Sequence, residues 1–216
     1  MEAPEHLGFA GTLTDVAGSA AITDLRGVRE LVTGSTSGLG RAMAQALAQA
    51  GAHTVVTSRD RGRAEEAAEQ LGGDALGIAI DARHVTATFR TARAVVPRIL
   101  EGGGGRLVTI SMSTETMTRR GFVPYGPAGA GVEALAGVMA ADLTGTAVTA
   151  NILLPGGATR TGMVPEEVSD EVRARPLDPS IMGPPIVWLA SPQAAGVDGE
   201  RIIATEFEKW LARRQR

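Results

Sequence analysis

Ten consecutive residues, Leu31-Val32-Thr33-Gly34-Ser35-Thr36-Ser37-Gly38-Leu39-Gly40, close an apolar run with a glycine-rich turn and open an alanine-rich stretch. In that setting glycines let the backbone approach an anion and adopt positive φ, while the free N–H groups and positive dipole of a helix start favour phosphate. Thr33, Gly34, Ser35, Ser37, Gly38, Leu39 and Gly40 are therefore the expected pyrophosphate-binding turn of a dinucleotide site. About 20 residues on, where such a domain reads the adenosine ribose, the chain runs Val55-Val56-Thr57-Ser58-Arg59-Asp60. A carboxylate first at the strand tip would take the ribose hydroxyls, but Ser58 and Arg59 precede Asp60. A guanidinium matches a 2′-phosphate in shape and charge, so NADP(H) is expected over NAD(H). Under the opposite reading Arg59 is a solvated charge and Asp60 reads the ribose.

Other chemistries are restricted by composition. The chain has no cysteine and only three histidines (His6, His53, His84), which excludes disulfides and thiolate metal sites and leaves no set suited to zinc. It has one tyrosine, Tyr125, and one lysine, Lys209, so any step that needs a lysine must use Lys209. Hydroxyls, carboxylates or a borrowed cofactor remain.

These residues need a frame. The 216 residues, 44% of them hydrophobic with 28 glycines, suit one domain with one core. A net charge of −3 with scattered arginines gives no reason to expect nucleic acid. No apolar run reaches the roughly 18 residues of a membrane span, and the N-terminal residues do not read as a signal peptide, so a soluble cytoplasmic protein is expected. Residues 1–24 read as a weakly structured extension. From Arg29, short β-branched runs alternate with alanine-rich stretches, the pattern of a parallel sheet with crossover helices. Strands are expected at 29–33, 53–57, 76–80, 106–110, 148–153 and 201–204, with helices at 38–50, 61–71, 86–101, 126–143 and 183–191. Pro97 is expected to bend or shorten the third helix. Residues 25–205 form a Rossmann-like, doubly wound domain with helices on both faces, and 206–216 a short amphipathic helix carrying Phe207, Trp210 and Leu211.

In this order the Thr33–Gly40 turn, Asp81, Tyr125-Gly126-Pro127-Ala128, Asn151, Pro155-Gly156-Gly157, Thr161 and Met163 resemble the short-chain dehydrogenase/reductase family. The resemblance implies hydride exchange between a nicotinamide and an alcohol or carbonyl. Tyr125 would exchange the proton, and Asp81, Pro155, Gly156 and Thr161 would join the cofactor site. The family's carbonyl-polarising serine falls, at thirteen residues before Tyr125, on Met112, flanked by Ser111 and Ser113. Ser113 is the candidate, with Ser111 the alternative. The family's lysine, four residues after the tyrosine, is Gly129, and its asparagine is His84.

Between Asp81 and His84 the family carries a helix, a central strand with an Asn-Asn-Ala-Gly segment and the start of another helix, on the order of fifty residues. That stretch has no counterpart here, so the sheet is expected to be shortened by one central strand. A right-handed crossover could bring strand 106–110 beside 29–33, across ~14 Å. Three readings follow: an impaired NADP-dependent oxidoreductase acting on a small-molecule alcohol or carbonyl, an inactive nucleotide-binding relative, or an interaction protein. The family habit of pairing through the 126–143 helix, with Val132, Leu135, Val138 and Met139 at helical spacing, leads to an expected homo-oligomer.

Overall fold

The computed structural model describes residues 24–79, 84–160 and 176–214. Strands and helices alternate: β1 (Arg29–Val32), α1 (Gly38–Gln49), β2 (His53–Ser58), α2 (Arg61–Leu71), β3 (Leu76–Ala79), α3 (His84–Glu101) and β4 (Gly105–Ile110). After a short α4 (Thr114–Met117) come α5 (Tyr125–Leu143), β5 (Val148–Leu154), α6 (Gly183–Ala190), β6 (Arg201–Ile203) and α7 (Phe207–Arg214). Each expected strand and helix is present. Among the described residues the one α-helix not expected is α4. Pro97 stays inside α3, which continues to Glu101.

All strand pairs are parallel, but they form two sheets of three, ordered β1-β2-β3 and β4-β5-β6. β4 therefore does not move against β1. It is in register with β5 over six residue pairs, Gly105↔Val148 to Ile110↔Leu153. Shifting β4 would carry β5 and β6 with it. It would also break the core in which Leu25, Met43 and Leu47 from the first half meet Leu153, Met182, Ile186, Leu189 and Ile202 from the second. That packing sets the spacing between the sheets.

The separation leaves a slot of about 1070 Å³ between β1 and β4, walled on one side by Ala92, Val95 and Ile99 of α3 and on the other by Ala190, Ser191 and Pro192. Among the described residues β1 pairs only with β2, and β4 only with β5. Within the slot Arg106 Nε and Thr149 Oγ1 are buried without a hydrogen-bond partner.

At the C-terminus the aromatic residues of α7 dock as expected. The Trp188 ring meets Phe207 at 6.0 Å and Trp210 at 5.5 Å between centroids. Arg214 lies over Trp210 and bonds Glu200 at 2.8 Å. Along α5 the expected association stripe is divided. Val132 faces a crevice at the strand tips, Met139 faces the slot, and only Val138 is well exposed, at 57%. Among the described residues no helix is long and apolar enough to cross a membrane.

Glu30 of β1 faces the slot, where burial raises its carboxyl from the ordinary 4.5 to about 7 against the opposing pull of Arg106. Between those values the folded state binds the extra proton, so the contribution of Glu30 to stability is fullest below about pH 4.5 and is lost as pH rises to about 7. Glu30→Gln should raise stability at pH 8 by about 1–2 kcal/mol and leave it unchanged at pH 4.5. Thermal melts of both proteins at the two pH values test this.

Candidate functional site

The glycine-rich turn is built by hydrogen bonds between β1 and β2. Ser35 is buried, donates from Oγ to the Val32 carbonyl at 2.7 Å and accepts the Thr57 amide at 2.7 Å. The Gly34 amide donates to Thr57 Oγ1 at 3.2 Å. Gly34 and Gly38 have φ of 66° and 54°, the region glycine enters without strain. Gly40 is required by a close approach, since a Cβ there would collide with the Gly34 carbonyl. The turn thus divides by task. Gly34, Ser37 and Leu39 line a crevice of about 850 Å³, while Ser35 and Gly40 shape the loop behind it. Gly38 also lies outside the crevice lining, and Thr33 faces the slot.

The crevice continues over Ser58 and Arg59 at the tip of β2. Asp60 is occupied as the N-cap of α2, its carboxylate accepting the Arg63 amide at 2.9 Å. That task explains an aspartate at this position without any ligand. Arg63, not singled out by sequence reading, lies in the first turn of α2 and lines the same crevice as Arg59. Neighbouring arginines are engaged, Arg61 with Glu65 and Arg41 with Gln70. No helical spacing links Arg63 to Arg59, because Arg59 precedes the extended N-cap Asp60, so only the fold brings the two to one crevice.

At the opposite end the crevice is lined by Ile110, Ser111 and Met112 after β4 and by Tyr125, Ala128, Gly129 and Val132 of α5. Tyr125 opens α5, 44% exposed, with Phe122 beside it at 6.4 Å between ring centroids. Burial of the remainder moves its phenol above the ordinary 10. Ser113, the favoured serine in the sequence, instead caps α4, accepting the Thr116 amide at 3.2 Å and lying 2.9 Å from Thr116 Oγ1. The unexpected α4 is the reason, because its free N-terminal amides take the Ser113 hydroxyl. Ser111 lines the crevice, and its buried Oγ has no hydrogen-bond partner.

Met112 and Gly129 fit each other. A Cβ at position 129 would stand 2.5 Å from Met112 Cε and 3.2 Å from its sulfur, so the thioether fills space that a side chain on α5 would need. The Met112 carbonyl is anchored by Arg201, which also bonds Glu133 of α5 at 3.1 Å. Asn151, one of the motif residues, is buried in β5 and bonded to Val197 and Glu200, which gives it a structural task. Pro155 and Gly156 lie outside the crevice lining. The Pro155 carbonyl accepts the Thr205 amide, and a Cβ on Gly156 would strike Thr205. Asp81 and Thr161 lie outside the described residues, as does the side chain of His84. No group of three or more metal-ligating side chains occurs among the described residues.

The model of the short chain dehydrogenase family matches residues 30–88 and 82–172. The chain belongs to the short-chain dehydrogenase family. The two matched segments overlap at residues 82–88, the place where the sequence lacks the central segment. A 3-oxoacyl-[acyl-carrier-protein] reductase of Vibrio harveyi is 26% identical over 236 positions, covering 83% of this chain and 96% of the relative. Those 236 positions exceed this chain's 216 residues, so the relative carries residues that face none here. A short chain dehydrogenase of Pseudomonas syringae superposes with a TM-score of 0.75 at 25% identity, over 86% of this chain and 98% of that one. A 3-ketoacyl-(acyl-carrier-protein) reductase of Brucella melitensis, complexed with NADH, shares the fold at a TM-score of 0.75 and 21% identity, over 83% and 97%. The short-chain dehydrogenase fold is thus retained with a sheet split in two, and membership makes this an oxidoreductase fold built for a nicotinamide dinucleotide.

The Gly40 contact can be tested against a glycine in open space. Gly40→Ala should destabilise the protein by about 1–3 kcal/mol, because the backbone must move to relieve the collision. Gly137→Ala, mid-helix with nothing within 4 Å, should stabilise by about 0.5–1 kcal/mol. Urea unfolding of the two variants reads both.

Proposed function

We propose that this short-chain dehydrogenase binds NADP(H) and slowly reduces a small carbonyl compound, with Tyr125 as proton donor and Ser111 polarising the carbonyl oxygen. The observation that carries this reading is the single crevice joining Gly34, Ser37 and Leu39, then Arg59 and Arg63, to Ser111 and Tyr125. Its parts suit the cofactor. Positive-φ glycines admit a pyrophosphate, two guanidinium groups suit a 2′-phosphate, and a buried hydroxyl without a partner is left at the reacting end. A bound nicotinamide would supply the hydride.

Proton transfer then depends on Tyr125. Its phenol is held above its ordinary range by burial, so it stays protonated at neutral pH and can donate to a developing alkoxide. The reverse reaction needs the tyrosinate as base. No lysine stands near to favour that form, because position 129 is glycine and its space holds the Met112 thioether. Turnover is therefore slow and biased towards reduction. A second reading, dinucleotide binding without turnover, is supported by the same Met112–Gly129 contact, since the thioether occupies the reacting end of the crevice.

NADPH should bind at least tenfold more tightly than NADH, since a charge-assisted hydrogen bond contributes about 1.5–3 kcal/mol. Arg59→Ala with Arg63→Ala should remove the preference in a fluorescence titration, and equal affinities in the unaltered protein would sink the assignment. Reduction of a simple ketone at pH 7 should be measurable and lost in Tyr125→Phe, while alcohol oxidation should appear only as pH rises past about 10. Absence of any Tyr125-dependent turnover would leave the binding-only reading. Gly129→Lys alone should change the rate less than about threefold, because the displaced thioether moves into the crevice and misplacement near 1 Å can cost a hundredfold.

A further inference from the structure

We propose that Arg201 and Glu133 are a positioning pair that fixes the Ser111–Met112 segment against α5, and with it the alignment of the Ser111 hydroxyl on Tyr125. The inference rests on the reading of Ser111 and Tyr125 as the reacting groups. Neither Arg201 nor Glu133 lines the crevice, so the pair acts through the residues that do.

Three residues spaced by four along α5 meet this segment in turn. Tyr125 shares the crevice with Ser111, and one turn on Gly129 faces the Met112 thioether. A further turn on, Glu133 is joined through Arg201 to the Met112 carbonyl. Arg201 projects from β6, where it is in register with Ile152 of β5. Its Nε donates to the two Glu133 carboxylate oxygens at 3.1 and 3.2 Å, and its Nη2 donates to the Met112 carbonyl at 2.8 Å. A guanidinium presents its donors in a rigid planar fork, so one side chain holds a helix and a loop at a fixed separation.

The segment needs such a hold because it has just left the sheet. The Ser111 amide still donates to the Leu153 carbonyl of β5 at 3.0 Å, and the Ser113 hydroxyl is taken by α4. Between those two points the Met112 carbonyl is held by Arg201. Towards α5 the contact of Met112 with Gly129 is apolar, and apolar contact sets a distance without setting a register. The Arg201 fork supplies the directional bonds. With the side chains of Arg201 and Glu133 33% and 18% exposed, the pair is partly withdrawn from water, and its bonds are charge-assisted, which makes them stronger than neutral ones.

The chain contains no cysteine, so Ser111→Cys creates a lone thiol that reports the position of this residue without turnover. Ala68→Cys in α2, at a site 7% exposed where Ser111 is 8% exposed, reports general loosening of the protein. In each background the rate of alkylation by iodoacetamide is measured with Arg201 present and in Arg201→Met, which keeps an unbranched stem and removes the donors. The expected result is an acceleration of about tenfold or more at position 111 and of less than about twofold at position 68. No acceleration at position 111, or equal acceleration at both, would overturn the proposal. Should Arg201→Met fail to melt cooperatively, Glu133→Ala takes its place with the same outcomes. With Ser111 retained, Arg201→Met should lower kcat for ketone reduction about tenfold or more, because misplacement near 1 Å can cost about a hundredfold. NADPH affinity in a fluorescence titration should stay within about twofold, since Arg201 lies outside the crevice lining. An unchanged kcat, or a loss confined to NADPH affinity, would also overturn it. Absence of turnover in the unaltered protein would sink the reading of the reacting groups, and the alkylation rates would then decide by themselves whether the pair holds the segment.

Discussion

The spacing of the two sheets depends on one apolar layer. Leu25, Met43 and Leu47 come from the first half of the chain, and Met182, Ile186, Leu189 and Ile202 from the second, and they pack as a single core on the α1–α6 side. Burial of each large apolar side chain contributes about 1.5–3 kcal/mol, so this face alone holds the halves in fixed relation. Among the described residues the opposite side, under α3, borders the slot instead of a comparable layer. As a result the loss of a central strand does not collapse the sheet, and β1 and β4 keep apart with the slot between them.

That separation preserves the geometry of the crevice. The glycine-rich turn follows β1 of the first sheet, while Ser111 and Tyr125 stand on the side of the second. Closing the slot would move the reacting end of the crevice by roughly one strand spacing, ~4.8 Å, relative to the phosphate turn. A crevice lined from both halves is therefore compatible with the open slot and incompatible with a rearranged six-stranded sheet.

Electrostatics divide the crevice in the same way. At the adenosine end, Asp60 is engaged with the α2 N-terminus, leaving Arg59 and Arg63 to set the local charge. At the reacting end no cation takes the lysine position, and burial alone acts on Tyr125. One end is lined by two guanidinium groups, and at the other burial favours the neutral form of the Tyr125 phenol. Met112 filling the space above Gly129 indicates that the two departures from the family pattern are compensating in volume, so the packing of the site survives the change in its chemistry.

Local patterns determined the elements and the phosphate turn. The β-branched runs, the alanine-rich stretches and the Gly34–Gly40 spacing depend on steric preferences and periodicity within a few residues, and the strands and helices formed where those preferences placed them. Arg59 follows the tip of β2 where the strand pattern put it, whereas Tyr125 was singled out by resemblance to the family motif and stands at the start of α5. Tertiary structure decided the rest. Whether Ser111 or Ser113 enters the crevice depended on α4, a single turn whose capping requirement captured Ser113. Ser35, which reads as a phosphate ligand by position, proved to be a buried staple to β2, because only the fold brings Thr57 beside it. The fate of the sheet was least legible of all. Strand order follows from which apolar faces meet across the whole molecule, and periodicity along the chain carries no record of that pairing.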